Sequence, residues 1–208
     1  MHSFPGKLFF DHVYRGSAPW DIGAAQPDLM QLIDEFPSLG RVLDLGSGTG
    51  DLAIALAQRG TPVLGVEFAE AAVDVARSRL LDLPAEQRAL AEFEIGDALH
   101  PSRWEGEIGS VVDSGFFHLF DAATRRSFVL ELARSLPPGG RYYMLGFAVS
   151  LPAPDVPREV RKEEIHELFS ESAGWTIQAL SNAQFHTSGF DHIPALALCA
   201  ERIDGAGR

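Results

Sequence analysis

The residues with the clearest chemical potential lie together in Val42-Leu43-Asp44-Leu45-Gly46-Ser47-Gly48-Thr49-Gly50. An apolar run carries one acid and enters three glycines at alternate positions, and Asp51-Leu52-Ala53-Ile54-Ala55-Leu56 opens a helix behind them. Glycines at such a turn let the chain reverse tightly and let a ligand lie against bare backbone. The spacing is G-x-G-x-G, whereas the dinucleotide fingerprint is G-x-G-x-x-G, with a pyrophosphate at the helix N-terminus. Asp44 and Asp51 flank the glycines with negative charge, which disfavours a phosphate and suits a cation. The pattern therefore points to a positively charged, nucleoside-bearing cofactor. A second acid agrees: Thr61-Pro62-Val63-Leu64-Gly65-Val66 reads as a short buried strand with Glu67 at its tip. An acid there is placed to accept hydrogen bonds from both ribose hydroxyls. A tight turn with no ligand remains the plain alternative for the glycines taken alone.

These residues need a scaffold, and the rest of the chain supplies one. Beyond about residue 40, strand-like and helix-like segments alternate, the pattern of an α/β fold with a mostly parallel sheet. Strands are expected at 41–45, 62–66, 93–95, 110–112, 141–147, 175–180 and 195–200. Helices are expected at 69–83, 124–136 and 158–170, with Pro84 and Pro137-Pro138-Gly139-Gly140 as stops. The first 40 residues differ, being aromatic and turn-rich before a helix near 27–36. They could fold over the ligand crevice as a lid that excludes water, or simply cover a helix of the core. The expected organisation is one domain over 1–208, with 1–40 as the lid segment and 41–208 as the cofactor-binding core.

Composition narrows the partners. The 17 basic residues against 29 acidic ones give a net charge of −12, without a basic cluster. Nucleic-acid binding relies on Lys and Arg to neutralise phosphates, so a small molecule is the expected substrate. No apolar run approaches the roughly 20 residues that span a bilayer. The start of the chain lacks the pattern of a signal peptide, which makes the cytoplasm the default location. The single cysteine, Cys199, sits in an apolar run and reads as a core residue, which leaves no disulfide framework. No compact His/Asp/Glu spacing suggests a metal. Oligomeric state is not legible.

The chain resembles the class I S-adenosylmethionine-dependent methyltransferases. The resemblance is carried by VLDLGSGTG (42–50), GVEFAEAAV (65–73), Gly96-Asp97-Ala98, VVDSGFFH (111–118) and LPPGG (136–140). Tyr14-Arg15-Gly16, PWDIG (19–23) and Gln26-Pro27 look more narrowly like the small bacterial enzymes akin to thiopurine, quinolone and heterocyclic-toxin methyltransferases. The resemblance implies a doubly wound, Rossmann-like sheet of seven strands, the last antiparallel, under an N-terminal helical lid. It implies S-adenosyl-L-methionine as cofactor. Gly46, Ser47, Gly48 and Gly50 would contact its methionine part, Asp44 its ammonium or ribose, and Glu67 the ribose diol. Phe68, Asp97 and Ala98 would border the adenine, Trp20 would descend from the lid, and Asp113 and Ser114 would line the crevice where donor and acceptor meet. Glu67 departs from the aspartate commoner in the narrower group, but reaches the same hydroxyls.

Methyl transfer from a sulfonium needs the acceptor held in line, water excluded and, for a weakly acidic hydroxyl, a proton removed. His118, five residues beyond Asp113, is the candidate catalytic residue, taking a proton from the acceptor or orienting it, with Phe116 and Phe117 as an apolar wall. A histidine satisfied by packing is the alternative. His12, His166, His186 and His192 are weaker candidates. Specificity is expected from Phe9, Trp20, Phe116, Phe117, Phe147 and the loop 149–157. The expected reaction is O-, N- or S-methylation of a small, aromatic or heterocyclic acceptor. The rivals are an NAD-linked oxidoreductase, disfavoured by the glycine spacing and its acids, and a non-catalytic protein that binds the same cofactor.

Overall fold

The computed structural model describes Phe10, Val13, Tyr14, Gly16 and residues 18–151, 157–189 and 191–204. Phe9, His12 and residues 152–156 of the loop 149–157 therefore lie outside the described residues. Seven strands form one sheet in the order β3-β2-β1-β4-β5-β7-β6. They are β1 (Val42–Leu45), β2 (Val63–Glu67), β3 (Ala91–Ile95), β4 (Ser110–Ser114), β5 (Arg141–Phe147), β6 (Trp175–Phe185) and β7 (Ile193–Arg202). All ladders are parallel except the two made by β7, which runs antiparallel between β5 and β6. This is the doubly wound sheet expected, with its order reversing between β1 and β4, where open α/β sheets hold ligands.

β1 is buried at every position, which is why it reads as a continuous apolar run apart from its single acid. Side chains still alternate between the two faces. Leu43, Leu45, Val111 and Tyr142 belong to one core, and Val42, Val112 and Tyr143 to the other. The second core is covered by α1 (Pro27–Glu35), α2 (Asp51–Gln58) and α3 (Glu70–Leu80). The first is covered by α5 (Ala122–Ser135), α6 (Lys162–Leu168) and the 3₁₀ turn Pro101–Trp104. A short α4 (Ala85–Arg88) buries nothing.

Local signals set most boundaries. Pro27 opens α1, and the Asp121 side chain caps α5 by accepting the Thr124 amide at 2.8 Å. Two elements differ from expectation. The helix expected from residue 158 begins at Lys162, because the chain before it is held extended. The Arg158 amide donates to the His118 carbonyl and the Val160 amide to the Phe147 carbonyl, both at 2.7 Å. β6, expected to end at Leu180, continues through the polar Ser181-Asn182-Ala183-Gln184 to Phe185, paired along its length with β7. An edge strand faces water, so its far half carries no apolar alternation.

Candidate functional site

At the carboxyl end of β1 the backbone turns through Gly46 and Gly48, at φ +67° and +52°. The turn is pinned from β2: Gly46 and Ser47 amides donate to the Val66 carbonyl, and the Gly48 amide to Glu67 Oε2 at 3.2 Å. Glu67 Oε1 accepts the Ala69 amide at 2.8 Å. A small cavity of about 70 Å³ lies here, lined by Asp44, Gly46, Ser47, Gly48, Thr49 and Asp51, among others. Asp44 is 2% exposed, and its Oδ2, like the Ser47 hydroxyl, is buried without a hydrogen-bond partner among the described residues. Burial, reinforced by the charges of Asp113, Glu67 and Asp51, pushes the Asp44 carboxyl up to about 8. A cationic ligand would relieve this, whereas a pyrophosphate would add to it. Asp51 is different, since its charge is matched by Arg79, which donates to its carboxylate.

Gly50 lies outside both cavities. At φ +85° it precedes α2, and a Cβ there would stand 2.6 Å from Phe93 Cζ and 3.0 Å from the Ala76 methyl. The contact of α2 with α3 and β3 thus leaves no room for a side chain there.

A second cavity of about 610 Å³ opens beside the first. Tyr14, Trp20, Gly46, Ser114 and Phe185 line both. The Trp20 indole N–H donates to the Tyr14 hydroxyl at 3.1 Å, and a Cβ on Gly48 would lie 2.9 Å from that same hydroxyl. The described aromatics of the N-terminal segment thus roof the glycine turn. Phe10 adds an edge-on contact to Phe68 at 5.4 Å between centroids. One side of the large cavity presents Glu67, Phe68, Asp97 and Ala98, the other Phe116, His118, Phe120, Phe147 and Phe185. No lysine or arginine lines either cavity among the described residues.

Two expectations about the crevice are corrected. Asp113 does not line it. Strand alternation turns its side chain to the opposite face of the sheet from Asp44. There its carboxylate accepts the Phe116 and Phe117 amides at 2.6 and 2.8 Å and the Tyr142 hydroxyl at 2.9 Å. It fixes the turn that carries His118, while burial raises its pKa to about 7 against those hydrogen bonds. Phe117 is likewise fully buried in the core, and Phe116 alone of the pair faces the cavity. Ser114 lines both cavities.

His118 lines the large cavity, with its ring 4.1 Å from that of Phe147. Nδ1 accepts the Phe147 amide at 3.1 Å. Burial and the nearby Arg125 charge hold its pKa down to about 3. Arg125 itself binds the Phe117, Arg158 and Glu159 carbonyls and pairs with Glu164 at 2.6 Å. One buried cation thereby ties the His118 turn to the chain leading into α6. His166 belongs to α6 and, like His186 and His192, is absent from both linings, while Thr187 of the intervening turn lines the large cavity.

Sequence reasoning missed Tyr14 as a site residue, though it lies in a motif that carried the family resemblance. It also missed Phe185, concealed at the end of a polar edge strand, and Leu119 and Ile193 along the large cavity, whereas Leu151 and Pro157 there belong to the loop 149–157 named for specificity. Among the described residues no helix is long and apolar enough to cross a membrane, and no group of three or more potential ligands could hold a metal.

A family profile described as a methyltransferase domain matches residues 42–140. A 2-heptyl-1-hydroxyquinolin-4(1H)-one methyltransferase of Mycobacteroides abscessus is 30% identical over 192 residues, 86% of this chain and 82% of that protein. A structure solved in work on the conversion of a disulfide bond into a thioacetal group during echinomycin biosynthesis has TM-score 0.79 at 31% identity. It covers 95% of this chain, and the match spans 93% of that one. The 1,6-didemethyltoxoflavin-N1-methyltransferase of Burkholderia thailandensis has TM-score 0.75 at 20% identity, over 95% of this chain and 87% of its own.

Proposed function

The chain belongs to the class I S-adenosylmethionine-dependent methyltransferases, enzymes acting here on small molecules, and we propose that its acceptor is a flat aromatic or heterocyclic compound. The observation that carries this is the junction of the two cavities. A small acid-lined pocket beside bare glycine backbone meets a wide pocket walled by Phe116, Phe120, Phe147 and Phe185. Such walls favour planar apolar ligands, with a few polar groups to orient them. The acceptor of the hydroxyquinolone relative is a fused aromatic ring, which supports the same reading.

S-adenosylmethionine, when bound, supplies a methyl group already activated by its sulfonium charge. In our reading Asp44 and Ser47 hold its ammonium, giving their unpartnered oxygens a partner, while the backbone of Gly46–Thr49 lies along the methionine chain. Glu67 takes the ribose hydroxyls, held by the Gly48 and Ala69 amides. Phe68, Asp97 and Ala98 border the adenine, and Tyr14 and Trp20 close over it, excluding water. Ser114 stands where the acceptor meets the methyl group. Gly50 and Asp113 act on this site only through packing.

A screen with radiolabelled methyl donor tests the proposal. Hydroxylated, thiolated and nitrogenous bicyclic rings should be labelled, and aliphatic amines and polymers should not. Labelling confined to linear or macromolecular acceptors would refute it.

A further inference from the structure

A methyltransferase acting on hydroxyl or thiol acceptors must dispose of a proton, and the described residues of the acceptor cavity offer no group to take it. His118 is the natural candidate, yet its Nδ1 accepts the Phe147 amide. An amide N–H can only donate, so Nδ1 presents its lone pair and the proton of the neutral ring sits on Nε2. Nε2 has no protein partner among the described residues. Cε1, adjacent to it, would lie 3.3 Å from a Cβ on Gly115, another lining residue. This nitrogen is therefore a donor. Protonating the ring would turn an N–H against the Phe147 N–H, beside Arg125 of α5, whose partner Glu164 comes from α6.

The other titratable groups are committed elsewhere. Both Glu67 oxygens accept backbone amides. The Tyr14 hydroxyl accepts from Trp20, and burial with the Glu67 charge raises its pKa well above the usual phenol range. Asp97 follows β3, with two strands between it and β4, and has Oδ1 on the Leu99 amide and Oδ2 3.7 Å from His100. Asp113 faces the opposite side of the sheet, with its oxygens on Phe116, Phe117 and Tyr142.

Resting on the methyltransferase reading, we propose that this enzyme takes acceptors that arrive with the nucleophilic lone pair already free, oriented by the His118 Nε2–H, and does not deprotonate ordinary phenols or alcohols. The class comprises anions of acidic O–H or S–H groups (N-hydroxy heterocycles, thiophenols, electron-poor phenols) and neutral ring nitrogens whose heterocycle offers that N–H a second acceptor atom, which leaves the nitrogen's single lone pair for the methyl group. For the acidic acceptors the proton leaves to solvent before the complex is complete. The lone pair of the acceptor atom forms the new bond to the methyl carbon, while the carbon–sulfur bond breaks with its electrons remaining on sulfur as a thioether. With an anionic acceptor its negative charge and the sulfonium's positive charge cancel, and with a neutral ring nitrogen the positive charge passes to the methylated ring.

The test uses the wild-type protein with para-substituted phenols and thiophenols whose own pKa values span roughly 5 to 10, around the free tyrosine and cysteine values. With S-adenosylmethionine saturating at every pH, the inflection in log kcat/KM for the acceptor should move with each acceptor's own pKa. At pH 7.5 an acceptor of pKa near 10 is ionised about 240-fold less than one near 7, and after the greater nucleophilicity of its anion is allowed for it should react about 10-fold more slowly. Without turnover, 4-nitrophenol bound to the protein saturated with S-adenosylhomocysteine should show its phenolate absorbance at lower pH than when free. His118→Gln, which keeps a donor, should retain the moving inflection, and His118→Ala should lose 10-fold or more in rate without shifting it. One inflection common to all acceptors, or one abolished by His118→Ala, would overturn the proposal, as would failure of every acidic acceptor to react. Calorimetric binding of S-adenosylhomocysteine separates the two failures: retained binding sinks this proposal alone, and lost binding sinks the methyltransferase reading with it.

Discussion

The contact proposed between Asp44 and the cofactor's ammonium predicts that binding expels a proton. In the free protein Asp44 titrates near 8, because it is buried among Asp113, Glu67 and Asp51 with Oδ2 unpartnered. At pH 7 the group is then about 90% protonated. A cation against it returns its pKa toward the ordinary carboxylate value near 4, so the complex holds fewer protons than the free protein. Affinity must therefore rise with pH up to about 8 and level off above. With the free value at 8, the dissociation constant scales as 1 + 10^(8 − pH), and should fall by roughly 50-fold between pH 6 and pH 8. Titration calorimetry with S-adenosylhomocysteine, in buffers of different ionisation enthalpy, should record release of about 0.9 proton at pH 7. Asp44→Asn should bind more weakly and lose both the proton release and the slope. The same shift acts on folding. A carboxyl raised above its unfolded value is harmless at pH 4 and progressively destabilises the fold as pH climbs toward 8, so the free Asn variant should outlast wild type to heating at pH 8. A dissociation constant flat from pH 6 to 8, with no proton released, would refute the reasoning.

Three further outcomes follow from the same contacts. Gly50→Ala forces a Cβ against Phe93 and Ala76 at positive φ, and should lower stability by about 1–3 kcal/mol in denaturant melts, with cofactor affinity of the folded fraction unchanged. Asp113→Asn replaces one of the carboxylate oxygens that accept the Phe116 and Phe117 amides and the Tyr142 hydroxyl. It should destabilise by about 1–3 kcal/mol while altering the dissociation constant of S-adenosylhomocysteine far less than Asp44→Asn does. Arg125→Met strands Glu164 and three carbonyls, so stability should fall by about 3–5 kcal/mol. The loosened His118 turn should raise the acceptor's KM more than that of the cofactor, measured by steady-state kinetics.

Much of this protein is written locally along the chain. The glycine turn after β1, the acid closing β2, the stops at Pro84 and Pro137 and the apolar run of β1 all depend on neighbours within a few residues. Backbone sterics and side-chain periodicity decide such features, so the sheet, its order of elements and the acid-fringed pocket were legible. What the folded chain alone decided concerns direction and partnership. The same carboxylate at the tip of a strand points into the crevice for Asp44 and away from it for Asp113, because alternate residues face opposite sides of the sheet. Gly50 looks like its neighbours in sequence, yet answers to Phe93, 43 positions on. Phe185 reaches the cavity only because β7 extends an edge strand that its own residues do not announce. His118 reads as a base until the Phe147 amide, 29 residues away, claims its Nδ1 lone pair. A hydrogen-bond partner so distant along the chain leaves no trace in spacing or composition, since it is set where β5 and the turn after β4 are brought side by side.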